Sequence, residues 1–72
     1  MTATATIDVT VNGEPRGLPA GATLLELLEL LALDPRVVVV EHNRRIVRRP
    51  ELGTVRIAAG DVIELVHFVG GG

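Results

Sequence analysis

The stretch TLLELLELL at residues 23–31 has the hydrophobic spacing of an amphipathic helix. Leucines at positions 24, 27, 28 and 31 follow the i, i+3, i+4, i+7 pattern, which places them on one apolar stripe. Thr23 and Glu26 have the T-x-x-E form of a capping box, so we expect the helix to begin here. Asp34-Pro35 should end it, because the residue before a proline is disfavoured in the helical conformation. Leu30 falls nearer the polar side, and we expect an ordinary exposed leucine there.

The residues before this helix predict a β-hairpin. Residues 4–11 alternate, with Ile7, Val9 and Val11 on one side, which is the period of a half-buried strand. Asn12-Gly13 follows, and both residue types tolerate the positive φ angles of a tight turn. A second strand should return over residues 14–18, on an edge of the sheet because it contains a proline.

The residues after the helix predict three more strands. Residues 37–40 are four valines, as expected for a strand inside a sheet, and residues 45–47 can form a short strand after a turn at 41–44. Residues 48–53 read as a polar excursion, and 55–58 as a brief apolar stretch. The last strand should span residues 62–69. It would place Ile63 and Leu65 on one side, with Val62, Glu64, Val66 and Phe68 on the other.

The predicted order is therefore β, β, α, β, β, β. One helix can cover one face of the sheet, so the fold class is a two-layer α+β arrangement. We expect the last strand to run beside the first and parallel to it, giving a mixed sheet with one main helix on one face. That topology is the β-grasp of ubiquitin-like proteins.

Composition excludes several classes of function. The chain has no Cys, Ser, Lys, Tyr, Trp or Gln, so an enzyme acting alone is improbable and no thiolate metal site is available. A net charge of −2 gives no general affinity for polyanions, and we expect no nucleic-acid partner. No apolar run has membrane-spanning length, and the N-terminal residues do not resemble a signal peptide. We expect a cytoplasmic protein that is a monomer when free.

Four arginines and two histidines are the remaining polar candidates. The arginines at positions 44, 45, 48 and 49 are matched by Glu41 and Glu51 nearby and favour a solvated charged loop, although docking to an acidic partner stays open. His42 and His67 lack the spacing of a metal site. We interpret His42 as a turn residue, and His67 as a residue that could order the tail or contact a partner. Asn12-Gly13 and Gly60-Asp61 are explained as turns.

The C-terminal glycines are the strongest functional candidate. We divide the chain into a domain at residues 1–69 and a flexible tail at residues 70–72. Gly72 offers an unhindered carboxylate, and Gly70 and Gly71 form a thin thread that can enter a narrow active site. Because no side chain here is a competent sulfur or acyl carrier, this carboxylate is the group left for carrier chemistry.

The ending VHFVGGG at residues 66–72, with Gly60-Asp61 and the IEL segment at 63–65, resembles the ThiS family of sulfur carriers in thiamine biosynthesis. The VNGE segment at 11–14, the leucine-rich helix and VVVVEHN at 37–43 extend the resemblance over essentially the whole chain. The absence of lysine is a departure, because turn positions in the family are often basic.

The resemblance implies a mechanism and a set of partners. A ThiF-like adenylating enzyme would use ATP and magnesium to adenylate the carboxylate of Gly72, while the carrier itself would bind no cofactor. A cysteine desulfurase system would supply the sulfur of a thiocarboxylate, which a ThiG-like thiazole synthase would receive. Val66, Phe68 and Val69 would anchor the base of the tail on a partner, and no residue of this chain would be catalytic.

Other functions stay open on the sequence. The chain could serve a different acceptor, as the small subunit of molybdopterin synthase or as a carrier for tRNA thiolation, although those usually end in two glycines after a proline-containing segment. It could instead be a ubiquitin-like modifier joined to other proteins through Gly72. A plain β-grasp binding module with incidental glycines is the third alternative.

Overall fold

A computed structural model of the protein describes residues 5–68. Its elements in chain order are β1 (Thr6–Val11), β2 (Glu14–Pro19), α1 (Leu24–Leu30), β3 (Val38–His42), β4 (Arg45–Val47) and β5 (Val62–His67). Short 3-10 helices at Pro35–Val37 and Arg49–Glu51 precede β3 and follow β4. The predicted order of elements is confirmed.

The five strands form one mixed sheet in the spatial order β2-β1-β5-β3-β4. β5 lies in the centre, antiparallel to β3 and, as predicted, parallel to β1. β2 is an edge strand, which is why it tolerates Pro15. Both residues of the hairpin turn have positive φ, +52° at Asn12 and +81° at Gly13, the conformation for which their residue types are suited.

The core lies between α1 and one face of the sheet. Thr23 and Glu26 form the predicted reciprocal cap, at 3.1 Å from the Glu26 N–H to Thr23 Oγ1 and 2.8 Å from the Thr23 N–H to Glu26 Oε1. The buried apolar residues are Val9, Val11, Leu18, Ala22, Leu24, Leu27, Leu28, Val38, Val40, Leu52, Ile57 and Ile63. Fully burying a leucine contributes about 2 kcal/mol, so these side chains provide the main stabilisation.

The helix ends earlier than the sequence predicts. It stops at Leu30, and Ala32 takes a left-handed φ of +56°. The Leu33 N–H then donates to Leu28 O at 2.9 Å and the Ala32 N–H to Glu29 O at 3.1 Å, which is the Schellman arrangement with alanine in place of the usual glycine. The prediction of an end at Asp34-Pro35 was wrong because this turn closes the helix before the proline acts.

Two further predictions needed correction. Leu52 lies in the segment predicted as a polar excursion, yet it is only 2% exposed. The 3-10 helix at Arg49–Glu51 brings Leu52 back to α1, where the Leu52 carbonyl accepts from the Leu25 N–H at 2.9 Å. The turn after β3 is also shorter than predicted, because Glu41 and His42 still belong to the strand and only Asn43 and Arg44 form the turn.

Candidate functional site

The two described residues predicted to contact a partner lie at the end of the central strand. Val66 is 50% exposed and Phe68 is 56% exposed. The Phe68 N–H donates to Val37 O at 2.8 Å, so the backbone just after β5 is still hydrogen-bonded to the residue just before β3. Val69 and the glycines at 70–72, with the proposed domain boundary, lie outside the described residues, and their roles stay predictions.

Most of the exposed large apolar side chains share one surface, which we call the open face: the side of the sheet turned away from α1. Four exposed apolar residues belong to this face, with exposures of 46–69%. Three lie within strands, Ile46, Val62 and Val66, and the fourth, Phe68, continues the alternation just beyond β5. Val39 lies beside Val66 in the register of β3 and β5. Several large exposed apolar side chains on one face of a domain are typical of an interaction surface.

Asn12 does more than form a turn. Its side-chain Oδ1 accepts from the Leu65 N–H at 2.7 Å, and its Nδ2 donates to Leu65 O at 3.3 Å. The paired register of β1 and β5 ends at Val11 and Ile63, so the asparagine amide takes over the hydrogen bonding of β5 where β1 has turned away. Sequence reasoning missed this role because Asn-Gly is already explained by the hairpin.

The opposite end of β5 is held by a second polar cluster. Asn43 Oδ1 accepts from the Val62 N–H at 2.8 Å, and the Asn43 N–H donates to Val62 O at 2.8 Å. Asp61 accepts from Asn43 Nδ2 at 3.2 Å, lies 2.6 Å from His42 Nε2 and accepts from the Ala58 N–H at 2.8 Å. The prediction that His42 is a turn residue was wrong: it ends β3 and its ring is directed to Asp61.

The pKa of Asp61 reflects two opposing effects. Burial favours the neutral acid and raises the pKa, whereas hydrogen bonds from the Ala58 N–H, His42 and Asn43 favour the carboxylate. The hydrogen bonds prevail, and the pKa of Asp61 lies below its usual value. The cluster therefore holds an ionised carboxylate that joins two loops, and its geometry gives it a structural role.

His67 points away from the open face, into a groove of about 400 Å³ beside the end of α1. The groove is also lined by Leu31, Leu33, Leu65 and Arg16. The His67 side chain is exposed, and its role in ordering the tail or contacting a partner stays a prediction.

The four arginines at positions 44, 45, 48 and 49 are all exposed, as a solvated loop requires. None of them forms an ion pair within residues 5–68, where the ion pairs are Arg36–Asp34 and His42–Asp61, but Arg45 and Glu51 line the same shallow pocket. The arginines lie on the short edge strand β4 and its flanks, where charge protects an exposed strand edge from pairing with another chain.

The described part of the chain offers neither a metal site nor a membrane-spanning helix. Residues 5–68 contain no group of three His, Asp or Glu side chains placed to hold a metal ion. The helix in that range is also too short to cross a membrane.

The sequence matches the model of the ThiS family over residues 9–72. It is 47% identical over 62 residues to a thiazole synthase of Magnetococcus marinus and 42% identical over 62 residues to one of Paramagnetospirillum magneticum, and each alignment spans 86% of this chain but only 19% of the relative. It is 42% identical over 50 residues to the sulfur carrier protein ThiS of Bacillus subtilis, across 69% of this chain and 76% of that protein. The crystal structure of a thiamine biosynthesis protein, ThiS, from Geobacter metallireducens superposes with a TM-score of 0.79 and 30% identity, across 92% of this chain and all of the other; the predicted β-grasp fold is thereby confirmed.

Proposed function

Because the chain belongs to the ThiS family, we propose that it is a sulfur carrier of thiamine biosynthesis, with the carboxylate of Gly72 as the group that carries sulfur. One observation supports this assignment most directly. The match to the family covers residues 9–72, a range that includes the three glycines. A glycine carboxylate has no β-carbon beside it and can enter a narrow active site.

The proposed reaction needs two chemical steps on Gly72. A ThiF-like adenylating enzyme joins the carboxylate to the AMP part of ATP, with magnesium and release of pyrophosphate, which makes the carbonyl carbon a good electrophile. Sulfur from a cysteine desulfurase system then attacks that carbon and AMP leaves with the original oxygen. After release from the sulfur donor, the product is a thiocarboxylate with one oxygen of Gly72 replaced by sulfur. ATP and magnesium belong to the partner enzyme, and this chain is the co-substrate rather than the catalyst.

The acceptor that we propose is a ThiG-like thiazole synthase. Support comes from the two relatives named thiazole synthase, in which a segment similar to this carrier forms part of the same chain. Joining a carrier to the enzyme that uses it raises the effective concentration of one for the other. This arrangement favours thiazole synthase over molybdopterin synthase or a tRNA thiolation enzyme as the acceptor.

The exposed end of β5 fits the docking that such transfers require. Val66 and Phe68 present apolar area directly before the glycines, with Val69 continuing the segment, and they would seat the base of the tail on the partner. The central position of β5 gives this base a well-ordered support. The free carrier would be a monomer in the cytoplasm.

Intact-mass spectrometry tests the function. The full chain is incubated with its adenylating enzyme, ATP, magnesium and a cysteine desulfurase system, and we expect the mass change of one oxygen exchanged for sulfur. A variant with alanine added after Gly72 is the matched control and should stay unmodified while keeping its circular dichroism spectrum. An unchanged wild-type mass with enzymes that modify another carrier would refute the proposal. Transfer of the sulfur to thiazole synthase, compared with molybdopterin synthase, tests the acceptor.

A further inference from the structure

The open face carries two carboxylates in an arrangement that is unfavourable for the isolated protein. Glu64 on β5 lies directly opposite Glu41 on the neighbouring strand β3. Residues paired in this way have Cβ atoms about 5 Å apart, and like charges directly opposite destabilise a sheet. Within residues 5–68, neither side chain belongs to an ion pair. No cation of the described residues is therefore paired directly with either carboxylate.

Within the strands, the charged side chains on this face are all acidic. The strand register places Asp8, Glu41 and Glu64 at positions directed away from α1, and the two arginines within strands, Arg16 and Arg45, on the opposite side. Arg48, directly after β4, lies at the edge of the open face beside Val39 and Ile46. The whole chain nevertheless has seven arginines and a net charge of only −2. Positive charge is thus found on the β4 edge and the loops, and the strand residues of the open face are acidic by arrangement rather than by composition.

Apolar side chains surround the carboxylate pair. Ile46 lies opposite Glu41 on β4 with 69% exposure, and Val62 and Val66 flank Glu64 on β5 with 46% and 50% exposure. A partner that covered these side chains would remove water from the carboxylates and strengthen their attraction for a cation. A second copy of this chain stacked on the same face would instead bring further carboxylates into that apolar contact, which is costly.

We propose that the open face is the docking surface for a protein partner that presents an arginine within an apolar surface, and that Glu41 and Glu64 together receive its guanidinium. A guanidinium has five donors in a planar fork and can bridge two carboxylates, which a point charge on lysine does less well. In the complex, the attraction of the guanidinium for both carboxylates would outweigh the repulsion between the two glutamates. The inference rests on the proposed function for its partners, which are the adenylating enzyme and the thiazole synthase.

The test compares Glu41→Gln/Glu64→Gln with Glu29→Gln/Glu51→Gln. Both double variants raise the net charge by two, but Glu29 and Glu51 are exposed residues outside the strands that form the open face. Binding to each of the two enzymes is measured by isothermal titration calorimetry at about 50 mM and about 300 mM NaCl, where screening differs strongly. We expect the first variant to bind at least one enzyme about tenfold more weakly at low salt, and the second to stay within about twofold of wild type.

Two further measurements separate the outcomes. The free Glu41→Gln/Glu64→Gln variant should melt about 2 °C higher than wild type, because a like-charge pair has been removed, so weaker binding cannot come from misfolding. Binding within about twofold of wild type for both enzymes, or a lower melting temperature, would overturn the inference. A wild-type chain that binds but acquires no sulfur in the mass assay would instead overturn the proposed function.

Discussion

Replacing Asn12 by glycine should destabilise the domain by about 2 kcal/mol. The side chain makes two hydrogen bonds to the backbone of Leu65, at 2.7 Å and 3.3 Å, and glycine removes both. A neutral hydrogen bond contributes about 1 kcal/mol net, which gives the magnitude. Glycine also accepts the φ of +52° at this position without a clash from a β-carbon, so this variant isolates the side-chain bonds from the conformation of the turn.

Asn12→Ala should cost more than Asn12→Gly. Alanine loses the same two hydrogen bonds and must also hold a left-handed φ, which adds about 1 kcal/mol. The expected total of about 3 kcal/mol corresponds to a fall in melting temperature of about 12 °C or more for a domain of this size. The difference between the two variants measures the backbone contribution alone.

Urea unfolding followed by far-ultraviolet circular dichroism is the assay, because the chain has no tryptophan or tyrosine for fluorescence. Amide exchange by NMR gives a second, local readout: the Leu65 N–H should exchange faster in both variants. If Asn12→Gly stays within about 0.5 kcal/mol of wild type and Leu65 exchange is unchanged, water replaces the amide without loss and the support that we ascribe to Asn12 does not exist.

Three other changes have defined outcomes. Ala32→Gly should raise stability by about 1 kcal/mol in urea unfolding because glycine relieves the left-handed conformation, whereas Ala59→Gly, which has no positive φ to relieve, should give no gain. The pKa of Asp61 is lowered in the folded state, so its carboxylate stabilises the fold above the unfolded pKa of about 3.9 and that contribution is lost as the pH falls through the folded value. Thermal melts between about pH 5 and about pH 3 should therefore show a shallower decline for Asp61→Asn than for wild type. Leu30→Ala should change the free energy of unfolding by less than about 0.5 kcal/mol since the side chain is 59% exposed, whereas Leu27→Ala, fully buried, should cost about 3 kcal/mol; equal losses would contradict the assignment of the helix faces.

The elements that periodicity defines and the Asn12-Gly13 hairpin turn could be predicted from the sequence, but the end of the helix and the burial of Leu52 could not. The leucine stripe of α1 and the alternation of β1 and β5 identify their buried faces because each side chain repeats at the period of its element. Ala32 has no residue-type preference for positive φ, so nothing in its identity marks the end of the helix. Leu52 is a single leucine among polar residues and has no period at all. Its burial follows from the 3-10 turn that precedes it.

The exposed apolar residues of the candidate site could be predicted from the sequence, but the side-chain hydrogen bonds that hold β5 in place could not. Asn12 and Asn43 both have a φ of +52° and both occupy turns, which fully accounts for an asparagine at the level of sequence. Each side chain also bonds β5, at Leu65 and at Val62, from opposite sides of the strand. The two turns therefore hold the central strand where β1 and β3 leave it. Under the proposed function, the last residue enters a partner's active site, and binding then costs less conformational entropy when the strand before the tail is already ordered. This would give the two asparagines a reason to bond β5 that the turns alone do not require.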